Sequence, residues 1–173
     1  MTLLRELAPD RLTPSRVWGA MDTDTRGLAA RSLYDPEWDD PASRAEADAA
    51  IADAMRFRRE TVRRLPVEKR IAHLTRIARL DDSLARALLH ALHLGARSEM
   101  LVDFLDALGI PHEGGLIDTE QEFERPDVGA LAGAAGVLRG RYPAADVDLY
   151  LAALLSLDSD FWGGLAGLEL PAP

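Results

Sequence analysis

Apolar residues recur at helical spacing along most of the chain. Val67, Ile71, Leu74 and Ala78 share one face of VEKRIAHLTRIAR, and Leu101, Phe104, Leu105 and Leu108 repeat the pattern. Val147, Tyr150, Leu151 and Leu154 do so again over residues 143–157. This i, i+3, i+4, i+7 spacing is that of a helix with one buried face. Punctuation agrees with it. Thr13-Pro14 and Asp40-Pro41 each set a capping residue before a proline suited to the first helical turn. Leu65-Pro66 breaks one run and starts another, and Gly109 before Ile110-Pro111 is a stop. The longest helix is expected over Pro41–Leu65.

These signals predict an all-α chain: a single-domain bundle of about seven or eight helices joined by short connections. Connections of a few residues favour antiparallel neighbours. Core helices are expected over 41–157, a less regular segment over 1–40, and a C-terminal turn and tail over 158–173. One long irregular loop, 109–125, interrupts the bundle. In the helix that begins near Pro126, Gly129, Gly133, Gly136 and Gly140 fall on one stripe. Interior glycines cost about 1 kcal/mol each relative to alanine, so close packing against a bulky neighbour is the expected compensation, with a hinge or dimer seam as the alternative.

Composition sharpens the fold class. Ala and Leu each occur 28 times and Arg 19 times, while Lys69 is the only lysine and asparagine is absent. Strong helix formers therefore dominate, and the arginine skew fits a GC-rich bacterial coding sequence. The absence of cysteine excludes disulfides, thiolate catalysis and Cys-based metal sites. The opening residues MTLLRELAPDRL mix charges into their apolar positions and no apolar run reaches membrane length. A cytoplasmic location without membrane association is the expectation.

Charge is uneven. The chain carries −9 overall, yet residues 56–79 hold nine basic side chains against Glu60 and Glu68. On a continuous helix Arg56, Arg59 and Arg63 share one sector, and Lys69 and Arg76 continue it on the next helix. Such a surface can bind nucleic acid or another polyanion; the plainer expectation is pairing with the protein's own acids. Base-stacking aromatics are sparse there, which weighs against nucleic acid. Arg58 would point into the apolar face of its helix. It then needs a carboxylate, or it serves with Arg86 as a contact for an anionic ligand.

Candidate chemistry centres on LLHALHLGA, residues 88–96. Here His90 and His93 are expected on the one polar strip of an otherwise apolar helix, beside Arg86. With His112 and Glu113 from the long loop they form a candidate divalent-metal site, since imidazoles at i and i+3 need further ligands from elsewhere. The loop, GIPHEGGLIDTEQEFER, has Leu116, Ile117 and Phe123 as expected anchors to the body. No HExxH, nucleophile elbow or phosphate loop occurs, and no cofactor motif is evident.

Trp18, Tyr34, Trp38 and Trp162 lie in the segments expected to be less regular, and Trp38 stands between acids in DPEWDDP. It is either a lid on the core or an anchor for a partner. Three readings result. The first is a non-catalytic protein-interaction or regulatory module, with a protein partner or self-association. The second is an enzyme or ligand-binding protein using the histidine site, and the third is polyanion binding through the basic surface.

Overall fold

Ten α-helices and one small hairpin make up the described residues, 12–117 and 124–168, of a computed structural model. The all-α class therefore holds. The helices are α1 Pro14–Ala20, α2 Thr23–Tyr34, α3 Pro41–Met55, α4 Arg59–Arg63, α5 Val67–Thr75, α6 Asp82–Ala91, α7 Ser98–Leu108, α8 Val128–Arg141, α9 Ala144–Leu157 and α10 Ser159–Trp162. A π-helical turn, Leu92–Ala96, extends α6, and a 3-10 turn, Gly163–Gly167, comes after α10. No helix among the described residues is long and apolar enough to cross a membrane.

The chain gathers into two compact units. The first is Pro14–Ala96. In it α2 packs on α5, α6 and the π turn, α1 packs on α6, and α3 packs on α4, α5 and α6. Segment 1–40 was expected to be less regular, but it supplies two helices of this unit. Asp22 caps α2 by accepting the Thr25 N–H at 2.7 Å. The face that α2 buries is Thr25, Ala29, Ala30, Leu33 and Tyr34, mostly small residues with little hydrophobic contrast. Trp18, expected in an irregular end, is fully buried on α1, and its indole N–H donates to the Ile77 carbonyl at 2.8 Å.

The long helix expected over Pro41–Leu65 is divided. Arg56 adopts φ +54°, a left-handed conformation that costs a non-glycine residue about 1 kcal/mol. The Phe57 N–H turns back to the Ala52 carbonyl at 2.8 Å, closing the end of α3. The chain then runs extended through Arg58 before α4 begins. The predicted start at Asp40-Pro41 is present, with Asp40 accepting the Ser43 N–H. The apolar face of α5 is narrower than its spacing implied: Ile71 and Leu74 are buried, Val67 is exposed, and Ala78 lies exposed beyond the helix end.

The second unit comprises the described residues of Met1–Thr13 and Arg97–Pro173. Here α7 packs on α8, and α9 packs on α8 and α10. Phe104 stands edge-on to Tyr150 at 5.4 Å and tilts against Trp162 at 5.8 Å, forming its aromatic centre. Arg97–Asp146 and Arg139–Asp148 tie its helices together at 2.7 and 2.5 Å. Gly109 ends α7 as the sequence indicated.

Part of the loop expected to be irregular is a hairpin. His112 pairs with Ile117 and Glu113 with Leu116, across a turn in which Gly114 and Gly115 take φ +58° and +96°. Those positive angles are why glycine occupies both places. Leu116, expected as an anchor, is 62% exposed. Asp118, Glu120, Glu122 and Phe123 lie outside the described residues. The glycine stripe of α8 also differs from expectation. A Cβ added at Gly133, Gly136 or Gly140 would meet nothing within 4 Å, so no described neighbour packs closely on that face.

Candidate interaction surface

The basic surface is held in place by a few anchors. Val62 is the buried residue of the single-turn helix α4. In α5, Ile71, Leu74 and Thr75 turn inward, and the Thr75 hydroxyl donates to the Ile71 carbonyl. Most of the remaining side chains of this stretch face water. Arg56, Arg59, Arg63, Lys69 and Arg76 are all exposed, as are Arg64 and Arg79.

Arg58 was expected within an apolar face. It is exposed instead, because the left-handed Arg56 ends α3 and leaves Arg58 at the N-cap position of α4. The expected pairing with the protein's own acids is also absent here. Among the described residues no carboxylate lies within ion-pair distance of Arg56, Arg58, Arg59, Arg63, Arg64, Lys69, Arg76 or Arg79. Three apolar side chains open between these cations: Met55 (40%), Phe57 (41%) and Val67 (40%). Phe57 presents its ring edge-on to His73 at 6.4 Å.

Beneath this surface lies a polar knot that sequence reasoning missed. The Tyr34 hydroxyl donates to Asp48 Oδ1 at 2.7 Å, and Arg70 Nη1 reaches both Asp48 oxygens at 3.2 Å. The Arg70 guanidinium also lies over the Tyr34 ring, 4.8 Å from its centroid. Burial and the bond to Asp48 raise the Tyr34 hydroxyl well above its ordinary range. One buried carboxylate thus ties α2, α3 and α5 together. Its only sequence signal was Asp48 itself, one of two aspartates in the otherwise apolar stretch ADAAIADAM.

The histidines are placed differently from the single strip the spacing implied. His90 is exposed at the end of α6, whereas His93 falls in the π turn and is only 5% exposed. A π turn has more residues per turn than an α-helix, so its residues rotate away from the directions an α-helical projection gives them. His90 has its ordinary pKa lowered, first by desolvation against the packed body and then by the charge of Arg86, although part of its surface reaches solvent. Arg86 itself is exposed on α6.

His112 and Glu113 belong to the other compact unit. There His112 Nδ1 accepts the Gly115 N–H at 3.2 Å and Nε2 faces Asp106 at 3.2 Å, an arrangement that closes the hairpin. Among the described residues no three His, Asp or Glu side chains gather so as to hold a metal ion.

Trp38 is half-buried in a turn built by Arg44. Arg44 donates to the carbonyls of Leu33 at 2.9 Å and Asp35 at 2.6 Å, and also to that of Trp38. In the second unit Asp103 accepts from Tyr142 at 2.7 Å and Arg141 at 2.5 Å. Those bonds lower the Asp103 carboxyl and push the Tyr142 hydroxyl up to about 12.

Comparison with protein families, curated proteins and solved structures finds no match for the chain. The class of protein is accordingly defined by its own surfaces: an all-helical chain whose described residues present cations without acid partners, interleaved with open apolar side chains.

Proposed function

We propose that the protein is a non-catalytic interaction module whose α4–α5 surface docks an acidic, partly apolar segment of a protein partner. One observation carries this reading: the exposed cations of residues 56–79 have no carboxylate partner among the described residues. Such arginines around open apolar side chains resemble the chemistry of interface centres, where arginine and aromatic residues supply most of the affinity. The left-handed Arg56 supports the same reading, since backbone strain at an exposed position is retained where it sets a functional geometry.

Charge also favours a protein partner over nucleic acid. The chain as a whole is at −9, so its long-range field opposes the high charge density of a nucleic acid more than that of a moderately acidic segment. Apolar contacts at Met55, Phe57 and Val67 suit an amphipathic acidic helix.

The test is fluorescence anisotropy with two labelled probes, an amphipathic peptide rich in Glu and Leu and a 20-base-pair DNA duplex. The peptide is expected to bind at low salt, to weaken as salt rises, and to lose at least tenfold in affinity on Phe57→Ala. Duplex binding with a steep salt dependence and no response to Phe57→Ala would replace this reading with the polyanion one. Failure of both probes at low salt would remove the surface as a binding site.

A further inference from the structure

A second surface of the first unit has the features of a small-molecule site. An open groove of about 470 Å³ lies between the C-terminal half of α2, the Asp35–Trp38 turn and the π turn. That volume is within the range of ligand pockets. Leu28 and Leu94 give it apolar walls, while Arg31, Glu37 and Trp38 bring polar groups to it.

The charged groups among these, Arg31 and Glu37, are open to a ligand. The Trp38 indole N–H is withdrawn from water and donates to no acceptor among the described residues. Arg31 is exposed and no carboxylate among the described residues pairs with it. Asp35 is already engaged, accepting the Glu37 N–H at 2.9 Å. The Glu37 carboxylate has no cation partner among the described residues.

The walls are fixed in position. Arg44 holds the Asp35–Trp38 turn through backbone carbonyls. On the opposite side the Ser32 hydroxyl accepts the Ala96 N–H at 3.3 Å. Gly95 suits this approach, because a Cβ there would fall 3.0 Å from Ser32 Oγ, a tight contact. π-helical turns are themselves concentrated at functional sites.

From these placements we infer that the groove binds a free amino acid with an aliphatic side chain. The carboxylate meets Arg31, the ammonium meets Glu37, and the aliphatic group rests on Leu28 and Leu94. A simple anion fits less well because Asp35 and Glu37 flank the groove, and a simple cation would meet Arg31.

The test tracks the indole N–H resonances of the full chain by NMR, with the Trp38 signal assigned through Trp38→Phe. Leucine and Leu-Leu are titrated in parallel with leucinamide, which lacks the carboxylate, and 4-methylpentanoate, which lacks the amine. Leucine is expected to shift the Trp38 N–H saturably, with Leu-Leu and both single-group analogues binding at least tenfold more weakly. Tighter binding of Leu-Leu than of leucine would overturn the assignment of both charged contacts to one residue.

Arg31→Gln, at an exposed position, is expected to weaken binding at least tenfold. Gly95→Val is expected to abolish it. Should Gly95→Val fail to fold, Arg31→Gln decides alone. An unmoved Trp38 N–H at 10 mM of every probe overturns the inference, as does equal binding of all four or undiminished binding by Arg31→Gln.

Discussion

Arg70 and Arg63 stand on neighbouring helices, α5 and α4, and have opposite situations. Arg70 is drawn down onto Asp48 and the Tyr34 ring, whereas Arg63 extends into solvent with no described acid within ion-pair distance. The difference arises from the residues beneath each. Asp48 is buried on α3 and cannot be left unpaired, so the fold commits one cation to it. Among the described residues no carboxylate is buried under α4, whose inward residue is Val62. Arginine in this chain thus has two uses, holding helices together and facing a partner, and local charge density does not distinguish them.

Four measurements test that contrast. Asp48→Ala should have the largest effect, because it leaves the Arg70 charge and the Tyr34 hydroxyl without their partner. A loss of about 3 kcal/mol in urea unfolding is expected for a broken buried pair, and unchanged stability would erase the distinction between the two kinds of arginine. Arg44→Met comes next. It removes the donor from three backbone carbonyls and should cost about 2 kcal/mol, with a red shift in Trp38 emission as its turn loosens.

Arg86 provides the third, smaller effect, since its charge acts on a neighbouring imidazole. Arg86→Gln should move the His90 titration upward, measured by NMR. No movement would assign the lowering to desolvation alone. In the wild-type chain the lowered His90 value means that the folded state binds fewer protons than the unfolded state. This contribution is complete above the ordinary histidine value of about 6.5 and declines as the pH falls below it. The smallest effect belongs to the pair Arg59→Ser and Arg63→Ser. Stability should stay within about 0.5 kcal/mol, and a larger loss in urea unfolding would show that these side chains support the fold.

The sequence revealed its elements unevenly, and the reason is side-chain size. Helices α7 and α9 were legible because Phe104, Leu105, Tyr150 and Leu151 repeat at helical spacing. Helix α2 was not, because alanines and a threonine make up much of its buried face. The division of the Pro41–Leu65 segment had no signal at all: its left-handed residue is Arg56, where glycine or asparagine would have marked the stop.

The candidate surfaces obey the same logic. The exposed cations could be read from charge density, but their lack of partners depends on the surrounding fold. Asp48 reaches residues 14 and 22 positions away in sequence, separations that no local pattern encodes. A regular α-helix would hold His90 and His93 on one strip, and the π turn removes that regularity.

Lys69 has a practical consequence for whatever docks on α5. It is the sequence's sole lysine and it projects from the middle of the basic surface. Among the side chains, an amine-reactive cross-linker therefore has a single address. A captured molecule joined to that ammonium reports its own contact point without mutagenesis, and a dye attached there becomes a sensor at the edge of the contact.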